Sequence, residues 1–328
     1  MTDRIRVGIV GYGNLGRGVE TSIGLNPDLE LVGVFSRRDP LSVETARPET
    51  PVFALSELDG LTDAIDVLIL CGGSRSDLPV QTPELAAKFT LVDSFDTHAK
   101  IPEHFAAVDA AASAGGTVAV ISTGWDPGLF SLNRLFGEAI LPQGNTYTFW
   151  GRGLSQGHSD ALRRIPGVAG AVQYTLPSER AIERVRAGEN PELTTREQHD
   201  RECFVVLEEG ADPEAIRETI VTMPDYFEPY NTTVHFISAE ELARDHAGMP
   251  HGGFVIRSGE SSPGVTQTIE YRLALDSNPE FTSSVLVAYA RAAARLAASG
   301  TTGALTPFDV APGLLSPKPA EQLRAELL

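Results

Sequence analysis

Apolar residues are distributed differently in the two parts of the chain. In the first 126 residues, five short apolar runs are typical of buried strands: "IRVGIVG", "LELVGVFS", "DVLILCGGS", "FTLVDSFD" and "GTVAVISTGWDPG". Helical segments such as "NLGRGVETSIGLN" and "PEHFAAVDAAASAG" lie between them. Strands that alternate with helices predict a parallel sheet with right-handed crossovers, the doubly wound α/β arrangement.

The pattern changes after Pro127. β-Branched and aromatic residues fill the runs "NTYTFWG", "AVQYTLP", "ECFVVLEE", "NTTVHFI", "GFVIRS" and "VTQTIEYRLAL", and helical stretches occur at Ala181–Ala187 and Pro213–Thr222. This pattern predicts an α+β domain built on a mixed or antiparallel sheet. A long helix, "PEFTSSVLVAYARAAARLAASG", then ends at Gly300, and its small apolar face suits packing against the first domain. The predicted domains are therefore 1–126, 127–277 and a C-terminal helix and tail at 278–328.

Composition and charge exclude several classes of protein. The 328 residues carry a net charge of −18, which disfavours binding to nucleic acid or to an anionic membrane. We expect a cytoplasmic protein, because the N-terminal "MTDRIRVGIV" lacks the apolar core of a signal peptide and no run is long enough to span a membrane. Cys71 and Cys203 form no CxxC motif, so we expect two buried thiols and no zinc ribbon or disulfide framework.

The segment "GYGNLG" has the GxGxxG spacing of dinucleotide-binding proteins. It follows a predicted strand and begins a predicted helix, which is the context that gives the motif its meaning. Gly11 would form the tight turn, Gly13 would let a pyrophosphate approach the backbone, and Gly16 would let helix and strand pack closely. The free N–H groups at the helix N-terminus favour phosphate. The first domain is therefore predicted to be of the Rossmann type.

The end of the second strand, "VFSRR", indicates whether the domain binds NAD or NADP. Ser36 lies 20 positions after Gly16, where an NAD-binding chain usually has an acid that holds the ribose 2′-hydroxyl. Ser36, Arg37 and Arg38 instead offer a hydroxyl and two guanidinium groups, which suit a 2′-phosphate. The alternative is that the arginines are only solvated surface charges. We interpret the segment as selecting NADP.

Two acidic residues follow predicted strands, where an open parallel sheet binds its ligand. Asp96 comes after "LVDSF", Asp126 lies in "STGWDPG", and Asp93 competes with Asp96. A carboxylate beside the nicotinamide could orient a substrate ammonium group and accept its proton. Asp96 could instead cap a helix, and Asp126 could be a turn residue before Pro127.

The stretch "WGRGLSQGHSDALRRIPGV" has the composition of a special loop that enters a helix. Trp150, Gln156, His158 and Asp160 could contact a substrate. Alternatively, Ser159 and Asp160 could simply cap the helix. Composition alone does not separate these two interpretations.

Several segments together resemble the meso-diaminopimelate dehydrogenase family: "GYGNLGR", "FSRR", "STGWDPG", "TFWGRGLSQGHSDALRRIPGV", "YTLPSE", "MPDYF" and "GMPHGG". The resemblance extends in order through essentially the whole chain, and the SQGHSDALRRIPGV block is far more specific than GxGxxG. It implies an NADP-dependent homodimer that deaminates the D-centre of meso-2,6-diaminopimelate reversibly. The products would be L-2-amino-6-oxopimelate and ammonia, and the reaction would serve lysine biosynthesis and peptidoglycan precursor supply.

The resemblance also implies roles for individual residues. The residues expected at the pyrophosphate and the 2′-phosphate are Gly11, Tyr12, Gly13, Asn14, Leu15, Gly16, Ser36, Arg37 and Arg38. The residues expected near the nicotinamide are Cys71, Gly72, Gly73, Ser74, Ser94, Phe95, Asp96, Thr123, Gly124, Trp125, Asp126 and Pro127. The D-centre would be surrounded by Asp96, Trp125, Asp126, Trp150, Gln156 and Gly157. The distal L-centre would be held by Thr175, Arg201, His251 and Asn278. No metal site is implied, and the carboxylate expected to accept the proton is Asp96 or Asp126.

The chemistry of the distal residues agrees with a substrate that has a carboxylate at each end. Arg201 can pair with a carboxylate through two charge-assisted hydrogen bonds, and Thr175 and His251 can add further ones. Taken alone, His251 could be a loop histidine and Arg201 an exposed strand charge. Two other functions stay open at this point. One is a reductase of the same two-domain plan that acts on dihydrodipicolinate or an aspartate-derived aldehyde. The other is a non-catalytic NADPH sensor.

Overall fold

The computed structural model describes residues 4–328, so the first three residues of the N-terminal stretch lie outside the described part. The chain forms two compact units. The first contains the described residues up to Leu132 and Pro279–Leu328, and the second contains Asn133–Asn278.

The first unit contains a seven-stranded parallel sheet. Its strands are β1 (Ile5–Val10), β2 (Leu29–Ser36), β3 (Val52–Ala54), β4 (Val67–Leu70), β5 (Leu91–Asp93), β6 (Val118–Val120) and β14 (Gly303–Leu305). They lie in the order β14-β6-β5-β4-β1-β2-β3, so the order reverses direction between β1 and β4. A ligand of a doubly wound sheet binds beyond the carboxyl ends of the strands at this switch point.

Helices cover both faces of this sheet. They are α1 (Asn14–Gly24), α2 (Leu78–Ala86), α3 (Ile101–Gly115) and α10 (Asn278–Ala298). Two further helices are α4 (Leu129–Ile140), which begins in the first unit and continues in the second, and α11 (Ala320–Leu327), which has no buried residue. One core cluster contains Val7, Ile9 and Val34 of the sheet with Leu286 and Tyr289 of α10, all fully buried or nearly so. Apolar residues of α2 and α3 pack on the opposite face.

The second unit contains two sheets. Its strands are β7 (Gln143–Trp150), β8 (Gly153–Leu154), β9 (Val168–Pro177), β10 (His199–Leu207), β11 (Asn231–Phe236), β12 (His251–Ser262) and β13 (Val265–Leu275). Its helices are α5 (Gln156–Arg163), α6 (Glu179–Arg186), α7 (Thr195–Gln198), α8 (Pro213–Val221) and α9 (Ala239–Asp245). One sheet has the order β11-β10-β9-β8 and is mixed, because β10 and β11 are parallel. The other, β13-β12-β7, is antiparallel.

The predicted fold class, a Rossmann-type domain joined to an α+β domain, is confirmed. The mixed or antiparallel pairing expected in the second part is present, but the strands divide between two sheets rather than forming a single one. Alternation along a strand predicts which side chains are buried, but it carries no information about which strand pairs with which.

Candidate cofactor and active site

The glycine-rich turn connects β1 to α1 and has the geometry that each glycine was predicted to provide. Gly11 has a φ of +87°, and its N–H donates to the carbonyl of Phe35 at 2.9 Å. A Cβ at Gly16 would lie 2.4 Å from the carbonyl oxygen of Gly11, so a side chain there is excluded. A Cβ at Gly13 would meet nothing within 4 Å, which leaves the N-terminus of α1 open to a ligand.

Ser36, Arg37 and Arg38 border a cavity of about 330 Å³ beside this turn. The Ser36 hydroxyl accepts from the backbone N–H of Arg38 at 3.0 Å, and an Arg38 Nη donates to the carbonyl of Tyr12 at 2.5 Å. The Arg37 side chain is 65% exposed and pairs with Asp77 at 2.7 Å. The two guanidinium groups and the hydroxyl therefore lie at the rim of one cavity that is large enough for part of a nucleotide.

Two acidic residues stabilise the loops around this cavity, and neither was predicted from the sequence. Asp77 accepts from the N–H of Gly73 at 3.0 Å, and this bond with the Arg37 charge lowers its pKa. Burial opposes ionisation of Glu20, but bonds from Thr50, the Tyr12 hydroxyl and the amide of Ala46 outweigh that effect and lower its pKa. Burial and the bond to Glu20 raise the pKa of Tyr12 to about 12. Glu20 thus ties the loop after β2 to the glycine-rich turn.

The remaining predicted cofactor residues lie at or near the ends of β4, β5 and β6. Cys203 is buried as expected, but Cys71 is partly exposed because it directly follows β4; burial of its thiol still raises the pKa. Ser74 connects two of these loops, because its hydroxyl accepts from the N–H of Asp96 at 3.1 Å and donates to the carbonyl of Ser94 at 3.5 Å. Asn14 is exposed and Leu15 is partly buried at the start of α1.

The candidate carboxylates differ in their environments. Asp96 is exposed and caps no helix, because Lys100 precedes α3, so the helix-cap interpretation is wrong. Asp126 is half-buried in a turn that is closed by a bridge between Trp125 and Gly128. Its position in a turn agrees with the turn interpretation, and its part in the chemistry stays a prediction.

Other residues of the two loops are buried. Trp125 is 7% exposed and packs edge-on against Phe130 at 5.2 Å. Phe95 is 2% exposed and stacks on His104, so its ring is part of the core. Thr123 is buried, as are Gly124 and Pro127.

In the second unit, a buried arginine forms the centre of the predicted distal group. Thr175 of β9 and Arg201 of β10 are paired across the two strands and are 5% and 7% exposed. Arg201 donates to the Thr175 hydroxyl and lies over the ring of Tyr230, 3.8 Å from its centroid. Its Nε is buried and has no hydrogen-bond partner among residues 4–328. Burial lowers the pKa of Arg201, because desolvation disfavours the charged form of the guanidinium.

His251 lies beside this pair because a glycine makes room for it. Gly153 pairs with Thr175 across β8 and β9, and a Cβ at Gly153 would lie 2.4 Å from the His251 ring. His251 therefore lies against the strand that pairs with Thr175, and a shared role of Thr175, Arg201 and His251 in holding the distal end of a substrate stays a prediction. Tyr230 was not predicted, because nothing in "EPYNTT" marks it.

Trp150 is supported by another residue that the sequence did not reveal. Its backbone N–H donates to Nε2 of His199 at 2.9 Å, and the two rings stack at 5.4 Å. Burial, together with the positive charge of Arg201, lowers the pKa of His199 to about 4. His199 is therefore neutral near pH 7, which it must be in order to accept this bond.

The loop before α5 joins the remaining predicted residues. Ser155 caps the helix by accepting from the N–H of His158, so capping by Ser159 or Asp160 is wrong. Ser159 donates back to the carbonyl of Ser155, and Asp160 pairs with Arg163.

Gln156 and Gly157 are exposed at the first turn of α5. The Gln156 amide lies 3.4 Å from the Met249 sulfur, and the N–H of Asn278 donates to the Met249 carbonyl at 3.0 Å. Met249, which was not predicted, therefore links Gln156 to Asn278.

Comparison with known proteins gives a consistent result. The family model of the diaminopimelic acid dehydrogenase C-terminal domain matches residues 124–277. A meso-diaminopimelate D-dehydrogenase of Lysinibacillus sphaericus is 66% identical over 324 residues, 99% of each chain. The structure of Corynebacterium glutamicum DAP dehydrogenase in complex with DAP has 51% identity and a TM-score of 0.92, with all of both chains covered. An engineered D-amino acid dehydrogenase bound to NADP+ has 50% identity and a TM-score of 0.86, and covers 99% of this chain and 100% of its own.

Proposed function

The chain belongs to the meso-diaminopimelate D-dehydrogenase family, and we propose that it catalyses the NADP-dependent, reversible oxidative deamination of the D-centre of meso-2,6-diaminopimelate. The products are L-2-amino-6-oxopimelate and ammonia, in lysine biosynthesis. One observation carries the assignment of substrate: the chain that has the dinucleotide turn also buries Arg201 beside Thr175 with its Nε unpaired among the described residues. Such a cation is stabilised by an anionic ligand, and the substrate has a carboxylate at each end.

The proposal that the cofactor is NADP rests on the cavity at the end of β2. The rim of Ser36, Arg37 and Arg38 suits a 2′-phosphate, and the open Gly13 suits a pyrophosphate at the start of α1. NADP, when bound, supplies the acceptor for the hydride. Glu20 accepts from the amides of Ala46 and Arg47 and from the Thr50 hydroxyl. Asp77 pairs with Arg37 at 2.7 Å, so a 2′-phosphate would share the Arg37 guanidinium with this carboxylate.

The protein's own residues accept the proton of the substrate ammonium group and stabilise the positive charge of the iminium. Hydride leaves Cα only when the amine is neutral, so a carboxylate must accept the ammonium proton. The positive iminium that follows is attacked by water. Asp126 or Asp96 can accept the proton and stabilise the iminium more than the substrate. We further propose that Trp125, Trp150, Gln156 and Gly157 contact the D-centre, and that Thr175, Arg201, His251 and Asn278 hold the L-centre.

A homodimer is part of the proposal, and the second unit offers a surface for it. β13 is an edge strand of eleven residues, exposed along most of its length, and Val265 and Ile269 are 46% and 36% exposed. Exposed edge strands with apolar side chains are suited to pairing with a second chain. A cytoplasmic location is likewise proposed. No helix among the described residues is long and apolar enough to cross a membrane.

The proposed function is tested by following NADPH with purified protein and three substrates: its formation from NADP with meso-diaminopimelate or the L,L-isomer, and its consumption with dihydrodipicolinate. We expect oxidation of meso-diaminopimelate with NADP. The L,L-isomer should not be a useful substrate, because it would present a substituent rather than hydrogen to the cofactor. No activity with meso-diaminopimelate, but reduction of dihydrodipicolinate with NADPH, would favour the reductase alternative. NADPH binding without turnover of either substrate would favour the sensor.

Replacing Arg37 and Arg38 together by alanine is expected to raise the KM for NADP much more than the KM for NAD. Each charged hydrogen bond lost to the 2′-phosphate should cost ~1.5–3 kcal/mol. Arg17, which approaches Tyr12 from outside the cavity rim, provides a control as Arg17→Ala. Equal increases for both cofactors would show that the two arginines do not recognise the 2′-phosphate.

A further inference from the structure

We propose that Asp93 is a positioning residue that fixes the two loops carrying Asp96 and Asp126, and that it does not itself accept the substrate proton. This inference rests on the proposed function. Asp93 is the last residue of β5 and competes with Asp96 when only the sequence is considered. The structure separates the two, because Asp96 is exposed whereas Asp93 is 0% exposed.

One oxygen of Asp93 binds both loops. Oδ1 accepts from the N–H of Phe95 at 3.0 Å and from the N–H of Ser122 at 2.8 Å. Phe95 directly precedes Asp96, and Ser122 lies four residues before Asp126. The backbone carbonyl of Asp93 adds two bonds to Thr123, one from its N–H at 2.9 Å and one from its hydroxyl at 2.7 Å. A single residue therefore fixes the starts of both loops that bear candidate carboxylates.

The second carboxylate oxygen of Asp93 also has two polar contacts. Oδ2 accepts from the Thr82 hydroxyl of α2 at 2.9 Å and lies 2.7 Å from Nε2 of His104 of α3. His104 also stacks on Phe95, with ring centroids 4.1 Å apart. A carboxylate has about four acceptor positions, and all four are occupied. None is left for a substrate ammonium group, so Asp93 acts only through the loops.

Ser122 shows that this bond holds an unfavourable backbone. Its φ is +56°, a left-handed conformation that residues other than glycine seldom adopt. The bond from its N–H to Oδ1 helps to hold that conformation, and so directs the chain toward Thr123 and the turn at Asp126. Without the acceptor, we expect the turn to relax and its carboxylate to move.

The test compares two substitutions at this position. In Asp93→Asn, the amide oxygen still accepts from Phe95 and Ser122, and the amide N–H₂ can donate to the Thr82 hydroxyl. We expect its kcat on meso-diaminopimelate to stay within about threefold of wild type, with an unchanged pH profile. In Asp93→Ala, the two loops lose their common acceptor. Its kcat should fall ~100-fold while the KM for NADP changes only a few-fold, since a misplacement of about 1 Å suffices for such a loss.

A control separates positioning from general stability. Asp28 forms a 2.5 Å ion pair with the buried Arg291 in the same unit, far along the chain from both loops. Asp28→Ala should lower the thermal midpoint but leave kcat unchanged, whereas Asp93→Ala should lower both. If Asp93→Ala does not fold, His104→Phe takes its place. It keeps a ring against Phe95 and removes one bond to Oδ2, and we expect a lower kcat with an unchanged KM for NADP.

The outcomes that contradict the inference differ from those that contradict the function. An inactive wild type would contradict the proposed function. An active wild type with a folded but inactive Asp93→Asn would overturn the inference, because it would make the Asp93 charge catalytic. A folded Asp93→Ala with the kcat of wild type would also overturn it, and so would a wild-type kcat in His104→Phe where that variant replaces it.

Discussion

Replacing Asp126 by asparagine is expected to lower kcat on meso-diaminopimelate ~10²–10⁴-fold, the usual contribution of general acid–base catalysis, while the KM for NADP stays within a few-fold of wild type. The amide keeps the size of the carboxylate, but it replaces one acceptor oxygen by an N–H₂ donor and loses the charge. That charge favours the iminium over the substrate, so its loss belongs to the transition state and lowers kcat.

Asp96→Asn is the matched comparison, because Asp96 offers the same carboxylate from the neighbouring loop. It is exposed, whereas Asp126 is half-buried. A less solvated carboxylate interacts more strongly with a developing positive charge, so we expect Asp126→Asn to have the larger effect. The measurement is kcat and kcat/KM across pH for both variants. If Asp126→Asn matched wild type at every pH and Asp96→Asn did not, Asp126 would be only a turn residue and Asp96 the proton acceptor.

Local signals predicted the cofactor turn well, since the function of each glycine is decided within a few residues. Gly11 needs a positive φ and Gly16 needs close packing, and both constraints arise inside the β1–α1 connection. The long apolar helix α10 and the strand β13 are likewise set by periodicity along the chain. The strands β3 and β14 were not predicted. β5 and β6 also have only three residues, but they lie in longer apolar runs, "FTLV" and "TVAVI". A three-residue strand has no measurable period of its own.

The missed site residues share one property: their function depends on a partner distant in sequence. Glu20 looks like a solvated helical residue until the loop at Thr50 folds over it. His199 acquires its function from Trp150, 49 residues away, and Tyr230 acquires its function from Arg201. No local pattern encodes such contacts. Arg201 and His251 entered the site only through the family resemblance, since an arginine in a strand and a histidine in a loop are common elsewhere.

Replacing Arg201 by methionine is expected to lower kcat/KM for meso-diaminopimelate ~10²–10³-fold, since two charged hydrogen bonds to the distal carboxylate are lost. The same variant should unfold at an equal or higher temperature than wild type in the absence of ligands. Arg201 is 7% exposed, and its Nε has no partner among the described residues, so the free protein bears a desolvation cost that methionine removes. The substitution should therefore lower kcat/KM for meso-diaminopimelate without lowering the unfolding temperature of the free protein.

Arg257 provides the control. It is another buried arginine in the same unit, but acceptors of the protein itself bind its guanidinium group. It is 5% exposed, donates to the carbonyl of Leu141 through Nε and one Nη, and donates to the Thr146 hydroxyl at 3.0 Å. Arg257→Met leaves those acceptors unpaired and should lower the thermal midpoint. It should leave kcat/KM for meso-diaminopimelate nearly unchanged in the protein that remains folded.

A comparison of two substrates then tests whether Arg201 recognises the distal carboxylate. D-Norleucine has the D-centre of the substrate but no distal carboxylate, so it makes no use of the Arg201 charge. Arg201→Met should raise the ratio of its rate to that of meso-diaminopimelate, because the distal end no longer demands an anion. An unchanged ratio would remove Arg201 from the distal pocket. A lower thermal midpoint, like that expected of Arg257→Met, would mean that Arg201 is a structural cation already satisfied by the fold, and the anionic ligand would have to be held elsewhere.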